Sequence, residues 1–398
     1  MTVLVRALVS VVVCCLVAQA AHAQETRTGL IEARQAEKAA AATPPPPSKA
    51  EQVTEWIQDR LLTERPRSFF PIIDSVYGGG GFTLGAGYRQ AFGDNAQWGV
   101  RGLYSIKQYK LIEFSALSTN RPTRRPVFGV TLGWRDMTRV GFYGLGMDTT
   151  RGERADFRYR QTYARASAQW HAMRWLRAGA MVSYENFDEG EPTGDRPAID
   201  EVYTPSTAPG LGASPHFLRT DLRVGFDTRT SPLYSRVGTY LGGALLNYID
   251  PDHTYSFNRV DLEGVQHVPI LRETWVLSLR ARVQSTVDDG DLVPYFLLPS
   301  LGGGSSLRGY SSWRFRDRHS ILTSVEWRWI PNRLGMDMAL FFDAGKVTSR
   351  RKDLNFSGLE HDAGIGLRFH TPAMTVLRTE LAHGSDGWKA VFASGAAF

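Results

Sequence analysis

From Gly79 to the end of the chain, apolar and polar residues alternate with period two. They do so in segments of about ten residues separated by turn residues, which is the signature of half-exposed strands. In Leu218–Arg229, Leu218, Leu222, Val224 and Phe226 oppose Arg219, Asp221, Arg223, Asp227 and Arg229. In 275–284, Trp275, Leu277, Leu279 and Val283 oppose Ser278, Arg280, Arg282 and Gln284. Residues 321–329 and 359–370 repeat the arrangement. A sandwich of such strands would have to bury every apolar face against a second sheet, yet all the strands carry the same pattern. One closed sheet with lipid outside and a wet, charged interior satisfies them all. The fold class is therefore all-β, a transmembrane β-barrel.

Composition agrees. Glycine is frequent (39 residues), aromatics make up 11 %, and mean hydropathy is −0.25. Alternating lipid-facing and interior residues average to such near-neutral values. The charge of +6 is mild, and the arginines alternate with apolar residues instead of clustering on one helix, so nucleic acid is not the partner. Trp275, Trp327, Trp329, Trp388 and Tyr240 fall near strand ends, as interfacial girdles do.

The N-terminus has the layout of a secretory signal peptide, 1–23. Arg6 supplies the positive charge, Ala7 to Ala18 the apolar run, and Ala21-His22-Ala23 the cleavage site. The run is shorter than the roughly 18 residues a membrane helix needs. Cys14 and Cys15 both lie within it, so the mature chain has no thiol or disulfide chemistry. Residues 24–68 form a periplasmic leader. It has a Pro44–Pro47 spacer and a helical stretch at 48–62, where Val53, Trp56, Ile57 and Leu61 share a face. The leader is either a plain tether or a small docking or plug helix.

The barrel is expected to occupy 69–398. Strands are expected at 80–91, 96–106, 107–118, 127–137, 139–147, 154–170, 174–186, 217–230, 237–249, 255–268, 273–285, 319–330, 335–347, 358–370, 375–383 and 388–398. That makes sixteen, an even number as single-chain bacterial barrels require. The segment 154–170 loses its alternation at Arg165, which a bulge would repair. Long connections at 187–216, 286–318 and 348–357 suit the extracellular side. Trp388, Phe392 and the terminal Phe398 share one parity. An aromatic end of this kind resembles the signal by which outer-membrane barrels are recognised for insertion.

Within the longest connection, Gly302-Gly303-Gly304-Ser305-Ser306 leads into Leu307-Arg308-Gly309-Tyr310. A guanidinium is always charged, so Arg308 needs a carboxylate partner if the loop is enclosed. Parity turns Asp343, Glu326, Asp362 and Glu380 inward. Catalytic patterns are absent. Gly78–Gly81 has no Lys-Ser/Thr or helix after it, Leu307 spoils the nucleophile-elbow spacing, and the histidines lack metal-ligand spacing. The expectation is a non-enzyme without cofactor or metal.

Leu307-Arg308-Gly309-Tyr310 and the following Arg314-Phe315-Arg316-Asp317 resemble the sixth-loop motif of the outer-membrane assembly-factor (bacterial surface antigen) superfamily. Its members include the outer-membrane insertase and two-partner secretion translocators. Phe342-Asp343-Ala344-Gly345 looks like the family's F-D-x-G segment. Asp227, Arg229, Pro232 and Gly238 look like its D-x-R…P…G strand-turn motif. The resemblance implies a sixteen-stranded barrel whose sixth loop, 286–318, folds inward, its arginine pairing with an acid on a following strand. Asp343 is the first choice and Glu326 the second. It also implies partners: the outer-membrane bilayer of a Gram-negative bacterium, the assembly machinery for insertion, and a polypeptide or lipid client, with self-association left open. Family members that handle polypeptides carry polypeptide-transport-associated domains of about 75 residues. Residues 24–68 are too few for one, so the chain looks like the subgroup lacking them. The competing reading is a passive pore or a structural barrel.

Overall fold

The computed structural model describes residues 67–398 except 94, 119–125, 272–273, 289–291, 332–334 and 372–373. The signal segment, the proline spacer and the helical stretch 48–62 lie outside the described residues.

Sixteen strands form one antiparallel sheet in which each pairs with the next along the chain. The first eight are β1 (Arg67–Ile73), β2 (Thr83–Phe92), β3 (Ala96–Ser105), β4 (Lys110–Ser118), β5 (Val127–Phe142), β6 (Ala155–His171), β7 (Leu176–Gly190) and β8 (His216–Asp227). Then come β9 (Gly238–Ile249), β10 (Phe257–Ile270) and β11 (Trp275–Val287). After the long loop follow β14 (His319–Trp329), β15 (Met336–Thr348), β16 (Glu360–His370), β17 (Thr375–Gly384) and β18 (Gly387–Ala393). Two short strands inside that loop, β12 (Ser300–Leu301) and β13 (Phe315–Arg316), pair with each other.

The number sixteen is as expected, but two of the strands are not. β1 begins at Arg67, a strand that period-two reading from Gly79 misses. The segments 127–137 and 139–147 are a single strand, β5, with a register shift between Met137 and Val140. The omission and the double count cancel.

Connections alternate between a loop end, with the long segments 143–154, 191–215 and 288–318, and a turn end with mostly short ones. The sheet curls around the loop 288–318, which touches segments beside both its first and last strands. Trp313 Nε1 donates to the Gly78 carbonyl beyond β1 at 2.9 Å. Arg314 Nε donates to Asp386, just before β18, at 2.7 Å.

The outward face is apolar: Leu222, Leu245, Leu262, Leu340 and Ile365 are all exposed. The inward face carries ion pairs, Arg280–Glu263 and Arg282–Asp261 between neighbouring strands and Arg219–Asp221 along β8. Near the loop end this rule inverts. Phe157, Tyr159, Phe187, Phe217 and Tyr248 point inward and are buried. Phe157, Tyr159 and Phe187 pack on Tyr295 and Phe296 of the long loop, with Phe157–Tyr295 centroids at 4.9 Å, Tyr159–Phe296 at 5.0 Å and Phe187–Phe296 at 5.7 Å. This corrects the expected bulge at Arg165. β6 keeps unbroken register with β7, and its apolar parity is simply the inward one, because the loop supplies a second apolar surface there. The bulge belongs to β5, opposite Arg158.

Candidate functional site

The segment 302–310 folds tightly back on itself because two glycines adopt conformations that side chains resist. Gly302 has φ +109°, and a Cβ there would lie 2.2 Å from the Ser311 carbonyl. Gly303 has φ +97°, and its N–H faces the carbonyls of both Leu307 and Tyr310 at 3.1 Å. The turn drives Leu307 into a small apolar cluster with Leu301, Tyr310, Phe315, Leu322 and Val347. Arg308 projects to the inner wall.

Arg308 is 1 % exposed. Its Nε and Nη2 donate to the two carboxylate oxygens of Asp343 at 2.7 and 3.0 Å. Its Nη1 donates to Glu326 at 2.9 Å and to Glu380 at 3.1 Å. Three strands, β14, β15 and β17, therefore hold one loop side chain, and the Phe341 ring lies under the guanidinium at 3.5 Å. Burial alone would lower the affinity of the guanidinium for its proton. Asp343, then Glu326 and Glu380, more than offset that and raise its pKa. Two further cations balance the acids: Arg368 pairs with Glu326 and Glu380, and Arg378 with Glu380. Asp362, the register partner of Asp343 on β16, is equally buried, and Arg308 makes no hydrogen bond to it.

Gly309 serves close approach. Its φ is not left-handed, but a Cβ there would meet Asp362 Cβ at 2.6 Å and the Gly384 nitrogen at 3.0 Å. Tyr310 packs on Gly384, and its hydroxyl donates to Glu360 at 2.6 Å. Burial, reinforced by Glu360, pushes this phenol up to about 12.

The residues Asp227, Arg229, Pro232 and Gly238 surround the turn between β8 and β9. Arg229 Nε donates to Asp227 at 3.0 Å. Gly238 has φ +113° and passes so close to Thr228 that a Cβ would sit 2.6 Å from its carbonyl oxygen. Pro232 is exposed. Together they aim Tyr234, which sequence reading missed, into the turn end of the interior. The Tyr234 hydroxyl donates to Asp337 at 2.8 Å and lies 3.0 Å from His370 Nε2. A parallel bridge, Leu233↔Met374, fastens the same turn to the start of β17.

Trp388 and Phe392 point outward from β18, 69 % and 70 % exposed. Phe398 does not share that face. β18 stops at Ala393, and the Phe398 ring lies parallel to His267 at 6.4 Å with Arg280 at 5.7 Å, both inward residues. Gly395, with φ +78°, is in the left-handed region and breaks the strand geometry just before it. That glycine was the legible signal.

A loop pinned by arginine inside a curled sixteen-stranded sheet places the molecule among the surface-antigen type of β-proteins. The Omp85 superfamily domain matches residues 91–386, and the chain belongs to that superfamily. Its members are non-catalytic assembly and translocation factors. The sheet is similar to BamA from Haemophilus ducreyi lacking POTRA domains 1-3, with TM-score 0.61 and 14 % identity over 83 % of this chain and 69 % of that one. It is also similar to CdiB from Escherichia coli (TM-score 0.54, 15 % identity, 83 % of this chain, 62 % of that one). CdiB from Acinetobacter baumannii gives 0.50, 12 %, 83 % and 59 %. The chain thus spans less than two thirds of either CdiB chain. No curated protein sequence matches it.

Proposed function

We propose that the protein is a closed outer-membrane β-barrel of the insertion or translocation type, acting in the assembly or export of outer-membrane protein or lipid. Its apolar outer face meets the bilayer, the loop end faces the medium and the turn end the periplasm. The signal peptide is cleaved after Ala23, and Trp388 and Phe392 form part of the signal read by the assembly machinery. Leu307, Arg308, Gly309 and Tyr310 act as a latch that holds the sixth loop in the lumen.

The observation that carries this reading is the burial of Arg308 against acids from three strands. A loop serving only as an extracellular decoration would leave its arginine in water, where an ion pair is worth under about 1 kcal/mol. A simple open pore is disfavoured by the same loop, whose Tyr295, Phe296 and Leu307 are buried in the interior.

The test is site-specific photocrosslinking in living cells from Phe69 on β1 and Phe392 on β18, both outward-facing. Capture of another barrel-forming chain during its synthesis supports a client-handling role. Absence of any adduct, together with a steady, high planar-bilayer conductance that Arg308→Ala leaves unchanged, would identify a passive pore instead.

A further inference from the structure

At the loop end of the interior, a cavity of about 1150 Å3 lies between the sheet and the sixth loop. Nine Lys or Arg side chains line it, against two acids, Asp74 and Glu185. Some of the arginines are neutralised where they stand: Arg219 by Asp221, Arg282 by Asp261, Arg378 by Glu380, Arg154 by Asp156. Five cations are not. Lys107, Arg135, Arg139, Arg259 and Lys389 have no carboxylate oxygen within 4.0 Å among the described residues.

What these five do touch is neutral. Lys107 donates to the Gly79 carbonyl at 2.6 Å, Lys389 to the Ser311 hydroxyl at 3.2 Å, and Arg259 to the Leu297 carbonyl at 3.0 Å. Arg135 lies over the Tyr77 ring at 5.2 Å. The Nε atoms of Arg135 and Arg139 are buried and have no hydrogen-bond partner among the described residues. Lys107 shows the strain of the arrangement. Burial first, then Arg154 and Arg139, depress its ammonium below the ordinary value. Partly desolvated like charges are costly to hold together unless a counter-charge joins them.

The glycines at 78–81 line the same cavity, but packing explains them. A Cβ on Gly78 would strike the Trp313 ring at 2.6 Å, and one on Gly80 the Tyr109 ring at 2.8 Å. The anion-seeking groups are the side chains. Guanidinium forks match phosphoryl oxygens, and the cavity exceeds the roughly 300–1,000 Å3 of ordinary ligand pockets. Cations spread over β5, β10, β18 and the β3–β4 connection suit an anion with several charges better than a single carboxylate.

We propose that this chamber binds a multivalent phosphate anion, supplied either as a soluble polyphosphate or as a phosphorylated lipid headgroup, with Lys107, Arg139 and Lys389 as direct ligands. This binding does not rest on the transport reading; it concerns the chamber as the docked loop bounds it.

The experiment is calorimetric titration of the full chain in neutral detergent with sodium tripolyphosphate. It is repeated in phosphatidylcholine nanodiscs with and without cardiolipin, whose headgroup carries two phosphates. The variants are Lys107→Gln/Arg139→Gln and Lys389→Gln, with Arg174→Gln as control, an exposed cation in the turn between β6 and β7. Heat-modifiable migration confirms that each variant is folded. Each lost ligand is expected to weaken binding at least about tenfold and to flatten its salt dependence, with the control unchanged. Tripolyphosphate binding without a lipid response assigns a soluble source. A lipid response lost in the variants assigns the headgroup. Absence of both, or equal weakening in Arg174→Gln, overturns the proposal.

Discussion

Replacing Arg308 by alanine removes four charge-assisted hydrogen bonds at once, two of them the bidentate pair to Asp343. Glu326 and Glu380 retain Arg368 and Arg378, whereas Asp343 loses its ion-pair partner among the described residues and keeps Asp362 opposite it in register. Asp343 is 0 % exposed, so its stranded charge dominates the cost. Breaking a buried pair from one side costs about 3–5 kcal/mol. That is a shift of roughly two to four orders of magnitude between docked and undocked loop, at about 1.4 kcal/mol per decade.

Trypsin reads this population directly. Arg314 and Arg316, 4 % and 1 % exposed in the docked loop, survive the substitution and become cleavable only on undocking. When reclosing is fast, cleavage tracks the open fraction. Nicking at these two sites should therefore accelerate by at least about a hundredfold in Arg308→Ala. Arg308→Lys, which keeps the charge but loses the fork, should fall between. In planar bilayers the same variant should turn low, flickering conductance into larger openings. A nicking rate within threefold of the parent (about 0.6 kcal/mol at most) would refute the latch.

Three further outcomes are expected. Gly309→Ala places a Cβ 2.6 Å from Asp362, so it should undock the loop with every charge intact, again read by trypsin. Tyr234→Phe leaves the buried Asp337 without its 2.8 Å hydroxyl donor. It should lower the temperature at which heat-modifiable migration is lost, by the equivalent of about 1–3 kcal/mol. Leu245→Arg, on the outer face, should cost about 2–4 kcal/mol in refolding into vesicles if the residue meets the bilayer midplane. No effect there would argue against a lipid-facing surface.

Parity in the sequence indicated which residues of β15 and β14 face inward, because the pleat alternates strictly and burying an unpaired charge against lipid is prohibitive. It could not rank Asp343, Glu326, Glu380 and Asp362. Direction follows from parity, but height within the interior follows from inter-strand register, and Ser324↔Asp343 and Gly366↔Glu380 are tertiary facts. The same limit hid Arg368 and Arg378, inward arginines indistinguishable in sequence from any other.

What the chain's own pattern determined is the all-β class, the antiparallel order and the position of most of the strands. These are local properties of alternation. Only the tertiary structure decided which parity was inward near the loop end, since an apolar side chain there is sheltered by a loop more than a hundred residues away. It also decided that β1 starts at Arg67, that Phe398 turns in toward His267 and Arg280, and that five cations share one chamber. Each depends on surfaces brought together by curling the sheet, and no periodicity within a single strand records what stands across from it.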